Sequence, residues 1–216
     1  MIQPVFSPVL AFDTCCPEGS VALLAHGQIT QHHLPRSSHA TLLVQKIQEL
    51  LHEANLSMRD ISTIVTTLGP GSFTGIRVSL AAAQGFMLAH PVTVKTCTSL
   101  QAIAYRYFLD HPHETTCEIW LNAGKGEAYT QAFKRGAPLP ETTGNITLQA
   151  LADVPLQNSA GNVEGAAYPF AAPRAEDLCA MAAHLPTSPA HVLIPIYIRA
   201  PDACAPAPFA WLATQP

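Results

Sequence analysis

Apolar and polar positions fall into short blocks along the first half of the chain, and the blocks predict a hairpin-rich opening followed by alternating strands and helices. Residues 9–12 form an apolar run that ends in Asp13-Thr14, residues 20–25 resume after Pro17-Glu18-Gly19, and residues 28–34 follow a turn at Gly27. Apolar runs broken by turn residues in this way read as strands of antiparallel hairpins. Residues 39–54 carry helical periodicity instead, with Leu43, Val44, Ile47, Leu50, Leu51 and Ala54 on one arc predicted to face inward. Ser37 or Ser38 is placed to cap that helix, and Leu42 stands on its outer side among Gln45, Lys46 and Glu49. A helical turn at 58–60 leads into a β-branched run, 61–67, which reads as a buried strand.

The helix predicted over 74–90 has two apolar faces at 3.6-residue spacing. One is large (Ile76, Leu80, Ala83, Met87) and the other small (Val78, Ala82, Gly85, Ala89). A helix that is apolar on two sides needs two neighbours. Pro91 ends it, and a strand over 92–97 and an amphipathic helix over 99–109 follow. Asp110-His-Pro-His-Glu breaks the composition and marks a lobe boundary, giving an N-terminal lobe of residues 1–109 and a smaller, more irregular one of residues 110–216 whose end can pack back on the first. In that second part, 117–121 and 127–133 read as strands. A helical turn near 148–151, a short strand near Gln157 and a helix over 175–184 complete the pattern.

Between the strand at 61–67 and the helix at 74–90 lies Leu68-Gly-Pro-Gly-Ser-Phe-Thr-Gly-Ile-Arg77. Pro70 and Gly71 suit the two central positions of a type II turn, and Ser72 or Thr74 can accept from the free N–H groups of the helix. Arg77 falls in the first helical turn, where the helix dipole disfavours a cation, which suggests an anion or carboxylate beside it. The Walker A pattern is excluded because no lysine follows Gly75, and the dinucleotide fingerprint fails because Thr74 stands where its third glycine belongs.

Composition narrows the functional classes. The 216 residues are 48% hydrophobic and 12% charged with a net charge of −4, enough for a proper core but without the basic surface that RNA phosphates require. No basic leader and no apolar run of ~18 residues is present, so a cytosolic location is expected. The cysteines at 15, 16, 97, 117, 179 and 204 include no C-x-x-C pair and read as free thiols. The ten histidines contain no H-x-x-x-H pair, so no metal site is expected; His111 and His113 read as loop residues.

The segment Gly69-Pro-Gly-Ser-Phe-Thr-Gly75-Ile-Arg77 resembles the signature of the bacterial TsaB (YeaZ) proteins. The resemblance extends to the strand-turn-strand around Asp13-Thr14, to Asn122-Ala-Gly-Lys-Gly-Glu-Ala-Tyr129, and to the closing Pro195-Ile-Tyr-Ile-Arg199. It implies an α/β fold of two lobes, of the actin, sugar kinase and Hsp70 (ASKHA, RNase H-like) class. It also implies a non-catalytic scaffold in tRNA threonylcarbamoyladenosine synthesis, which pairs with the catalytic paralogue TsaD and recruits the ATPase TsaE. By the same route the chain is a homodimer when alone, meets tRNA only through the complex, does not meet membranes, and has no resident cofactor or metal; a nucleotide at the complex interface stays open. Asp13 and Thr14 occupy the position of a phosphate loop, here vestigial, and the structural alternative is that Asp13 is an aspartate that fixes its own turn. Cys15-Cys16 replace the Ser-Thr common in that family, and Asn122 and Gly124 depart from its hairpin motif. The partner contact implied by the resemblance falls on His39, Leu42, Val78, Ala82, Gly85 and Ala89. The alternative is a small-molecule phosphotransferase of the same fold class, with Asp153, Glu164 or Asp202 as a second carboxylate and Gly161–Gly165 as an adenosine loop. A peptidase would require the missing histidine pair.

Overall fold

The computed structural model describes residues 7–35, 38–155, 158–169, 172–189 and 193–199. The cap candidate Ser37, the strand expected near Gln157, Asp202 and Cys204 lie outside the described residues.

Strands β1 (Val9–Asp13), β2 (Gly19–Ala25) and β3 (Gln28–Leu34) form an antiparallel meander. Helix α1 (His39–Glu53) and a 3-10 turn, Met58–Asp60, lead to β4 (Thr63–Thr67), which pairs parallel with β1. Helix α2 (Phe73–Ala89) then crosses over to β5 (Thr93–Cys97), parallel to β4, and the sheet order is β3-β2-β1-β4-β5. The two central strands are buried along nearly their whole length, which is why their sequences, VLAFD and TIVTT, lack a polar face. Alternation still sorts their side chains: Leu10, Phe12 and Ile64 join the core that includes Leu43, Ile47 and Leu80 of α1 and α2, whereas Val9, Ala11 and Val65 join a second core on the opposite side.

Helix α3 (Ser99–Asp110) begins at Thr98, whose hydroxyl accepts from Gln101 N at 2.9 Å, and connects to the second sheet. That sheet contains β6 (Thr116–Gly124), β7 (Glu127–Lys134), β8 (Glu141–Thr142), β9 (Thr147–Ala150), β10 (Ser159–Gly161) and β11 (Tyr168–Pro169) in the order β11-β10-β6-β7-β8, with β9 also on β7. The last described helix, α4 (Ala175–Met181), packs against the first sheet. Two side chains of that sheet satisfy its free N–H groups: Ser20 Oγ accepts from Ala175 N and Gln31 Oε1 from Glu176 N, both at 2.9 Å. Arg106 of α3 pairs with the buried Asp177 of α4, and this ion pair ties the two helices.

Several expectations need correction. Val44 is 49% exposed rather than inward; it lies at the edge of the arc, roughly 20° past the buried Leu51, and two turns nearer the start of the helix. Ser38 is the N-cap residue of α1, yet its side chain makes no cap bond; its carbonyl accepts from Leu42 N at 2.8 Å. The strand expected from 61 starts at Thr63. Residues 147–150 are strand rather than helix, since pairing with β7 supplies backbone partners that local propensity does not foresee, and the helical turn begins only at Leu151. The helix expected to reach 184 ends at Met181.

Candidate functional site

A cleft of about 830 Å³ opens where the two sheets meet. Its walls are Cys15-Cys16-Pro17 after β1, the first residues of α1 (His39, Ala40), the turn Gly71–Gly75 with Val78 of α2, Leu121-Asn122-Ala123 and Tyr129 of the β6–β7 hairpin, Asn162, and Ile196, Tyr197 and Arg199. This is the end of the first sheet where parallel β1 and β4 hand over to the chain that follows, the usual place for a ligand in an open α/β sheet.

Asp13 and Thr14 lie beneath the cleft rather than in it. Both are fully buried. Asp13 Oδ2 accepts from Cys15 N at 3.1 Å and from Cys15 Sγ at 3.2 Å, while Oδ1 accepts from the Thr67 hydroxyl. Ser99 Oγ closes the ring at 3.0 Å from Cys15 Sγ and 3.4 Å from Thr67 Oγ1. Burial pushes the Asp13 carboxyl above its usual value, and the hydrogen bonds from Thr67 and Cys15 oppose that push only in part. Burial, the neighbouring Cys16 thiol and the Asp13 charge push the Cys15 thiol well up. Thr14 is held the other way, its hydroxyl donating to Gly75 O at 2.6 Å with Ser79 Oγ also at 2.6 Å. The aspartate therefore fixes its own turn, and hydroxyl and thiol groups close over it.

The signature turn grips this loop from above. Ser72 N donates to Cys15 O at 2.6 Å, and Ser72 Oγ accepts from Gly75 N at 3.2 Å, so Ser72 rather than Thr74 caps α2. A Cβ on Gly75 would run into Thr14 O, and one on Gly71 into Cys15 O. Both glycines are required by close backbone approach. Gly69 carries the left-handed φ of 93°, whereas Gly71, at 158°, is nearly extended and far from the roughly +80° that the second central position of a type II turn requires, so the expected turn does not form.

Arg77 does not face the anion that its position suggested. Its Nε donates to Tyr197 Oη at 2.9 Å and its guanidinium lies 3.7 Å from the centre of the Phe73 ring, so aromatic faces and a phenol hold the cation among the described residues. Phe73 and Tyr197 pack 5.2 Å apart, and Ile196 N donates to Leu68 O at 2.8 Å. Two residues on, Arg199 donates to Ala123 O at 2.8 Å and pairs with Glu127. Residues 196–199 thus strap the α2 turn to the hairpin across the cleft.

The residues expected at a partner contact do not share one environment. His39 sits at the cleft, and Leu42, Val78 and Ala82 are half-buried against the chain's own core. Gly85 and Ala89 are exposed, with open space around Gly85. The outward stripe of α2 is Arg77, Ala81, Gly85 and Leu88, the last 90% exposed, with Val44 of α1 also exposed. Leu88 was legible as an apolar residue between the two predicted faces. Asp153 and Glu164 are exposed and apart from the cleft, and a Cβ on Gly161 would meet Trp120 O of β6, so that glycine serves strand packing. His111 caps the end of α3, stacked on Tyr107. Among the described residues no three His, Cys, Asp or Glu side chains converge on a metal position, and the five described cysteines are free and buried. No described helix is long and apolar enough to cross a membrane.

Residues 27–201 match the family model described as TsaD, tRNA N6-adenosine threonylcarbamoyltransferase. An uncharacterized Mycobacterium bovis protein is 30% identical over 216 residues, covering 94% of this chain and 97% of its own. The Haemophilus influenzae tRNA threonylcarbamoyladenosine biosynthesis protein TsaB is 32% identical over 122 residues, 56% of this chain and 51% of the relative. The chain thus spans about half the length of the curated TsaB proteins it matches. A crystal structure from Pseudomonas aeruginosa, described as similar to the peptidase YeaZ, superimposes with a TM-score of 0.79 at 25% identity, covering 90% of this chain and all of the other. Sheet order and this superposition define an α/β protein of two mixed sheets with the fold of the YeaZ structure. The chain belongs to the TsaD family, and within it to the TsaB (YeaZ) proteins.

Proposed function

We propose that the chain is a non-catalytic scaffold in tRNA threonylcarbamoyladenosine synthesis, working in the cytoplasm beside a TsaD-type paralogue. The observation that carries this reading is the chemistry of the cleft. Its described lining contains no carboxylate, because Asp13 is enclosed by Thr67 and Cys15 and position 122, at the mouth of the hairpin, is an asparagine. A phosphotransferase would need an open carboxylate there to hold a metal-bound phosphate. In this reading the exposed stripe of α2, with the neighbouring part of α1, meets the TsaD-type partner and pairs two copies when the partner is absent. The ATPase TsaE joins the assembled pair, and tRNA is held by the partner. The chain divides at residues 109 and 110 into two units, with α4 returning to the first.

Reconstitution tests the proposal. Purified chain given an ATP-activated threonylcarbamoyl donor, ATP and an unmodified tRNA is expected to form no modified adenosine, and to support its formation once the TsaD and TsaE proteins of the same genome are added. Product from the chain alone, or undiminished product when only this chain is left out, would refute it.

A further inference from the structure

We infer that Cys15 and Cys16 form a vicinal dithiol site in the cleft wall, which takes a single trivalent arsenical centre through both sulfurs. The two Sγ atoms lie 3.7 Å apart, and both residues line the cleft although each is only 2% exposed. Of the five described cysteines, these two alone have their sulfurs recorded within reach of each other. Cys97 and Cys117 are buried separately, and Cys179 Sγ faces Val9 O at 3.8 Å.

The surroundings select the kind of centre. Thiolate ligands suit soft ions, but a zinc site needs four donors, and no third His, Cys, Asp or Glu converges with this pair among the described residues. A copper(I) dithiolate would be an anion, placed beside the buried carboxyl of Asp13, whose Oδ2 is 3.2 Å from Cys15 Sγ. Two like charges in a desolvated pocket repel strongly. Burial and the Asp13 charge already hold the Cys15 thiol in its protonated form. Condensation of an organoarsenic(III) hydroxide with two thiols avoids that cost: two As–OH bonds and two S–H bonds break, two As–S bonds form, two waters leave, and the adduct is neutral. No oxidant or reductant takes part. The step gives up the Cys15 Sγ–H bond to Asp13 but leaves the Cys15 N–H bond in place.

Phenylarsine oxide, hydrated in water to the dihydroxide, is the probe. Native mass spectrometry of the folded chain is expected to show one equivalent bound, resistant to a monothiol and removed by a dithiol. Cys15→Ser and Cys16→Ser, each alone, should weaken binding by ~10²-fold or more, since either leaves a single sulfur without the second, intramolecular attachment. Copper(I) offered under the same conditions should bind at least ~10-fold more weakly to the wild type than to Asp13→Asn, which removes the neighbouring charge. Should a serine variant fail to fold, peptide mapping of the wild-type adduct after alkylation in denaturant decides instead, with Cys15 and Cys16 protected together. No adduct on the folded chain, an adduct that persists in Cys16→Ser, or protection of any other cysteine pair overturns the inference.

Discussion

The cleft has two glycine-bearing walls that obey different rules. On the α2 side, Gly71 and Gly75 have no room for a side chain because the backbone of Thr14 and Cys15 lies against them. On the hairpin side, Gly124 and Gly126 have nothing near them, and it is their own backbone, at φ of 75° and 76°, that favours glycine. The first wall is set by tertiary contact and admits no adjustment. The second is a local turn, held at its back by Arg199 through Ala123 O and Glu127. A signature of glycines, serine and threonine that would suit a phosphate loop serves here to lock the first β-hairpin to α2.

Paired substitutions expose that difference most sharply. Gly75→Ala is expected to cost about 3 kcal/mol or more, because the new methyl meets the backbone of Thr14, buried beneath the turn and unable to withdraw. Gly124→Ala should cost about 1 kcal/mol, the penalty of placing a Cβ in left-handed backbone in open space. Denaturant midpoints measure both, and equal costs would erase the distinction between the walls.

The buried Asp13 provides a second, smaller test of the locked wall. Its carboxyl is held above the ordinary value by burial, so the folded chain holds the proton more tightly than the unfolded one. The stability contributed by that proton is complete below the unfolded value of 3.8 and is lost as pH rises through the raised folded value. Asp13→Asn removes the titration. Its stability relative to wild type should therefore improve from acid pH to pH 7, with the new amide oxygen still able to accept from Cys15 N. A wild type that gains on the variant as pH rises would show instead that Asp13 acts as a well-paired carboxylate.

Much of this was legible in the sequence, and the losses have physical causes. The meander β1–β3, the helices α1 to α3 and the hairpin β6–β7 follow from periodicity and turn residues because each buries one face against a neighbour close in sequence. Strands β8, β9 and β11 did not emerge, since they are two to four residues long and depend on pairing with β7 or β10 rather than on their own pattern. In the site, Asp13-Thr14 and the signature turn could be picked out, but not that Thr14 and Cys15 are bonded to the turn's backbone at Gly75 and Ser72. The network partners Thr67 and Ser99 are hydroxyls at the end of β4 and the start of α3, at the edge where parallel strands place their ligands, and that position was the available signal. Arg77 is the fifth residue of α2, just past the first turn where it was expected, and it was given the wrong neighbour, because Tyr197 is 120 residues away in sequence.

The central claim is that the chain acts through the exposed stripe of α2 and not through its cleft. Leu88, 90% exposed, lies in that stripe, and Leu88→Glu should leave the folded chain as stable as before. If the stripe meets the TsaD-type partner, the variant buries an unpaired carboxylate only in the complex, and calorimetric titration should find affinity reduced by ~30-fold or more with an unchanged melting temperature for the free chain. Affinity equal to that of the wild type would contradict the account.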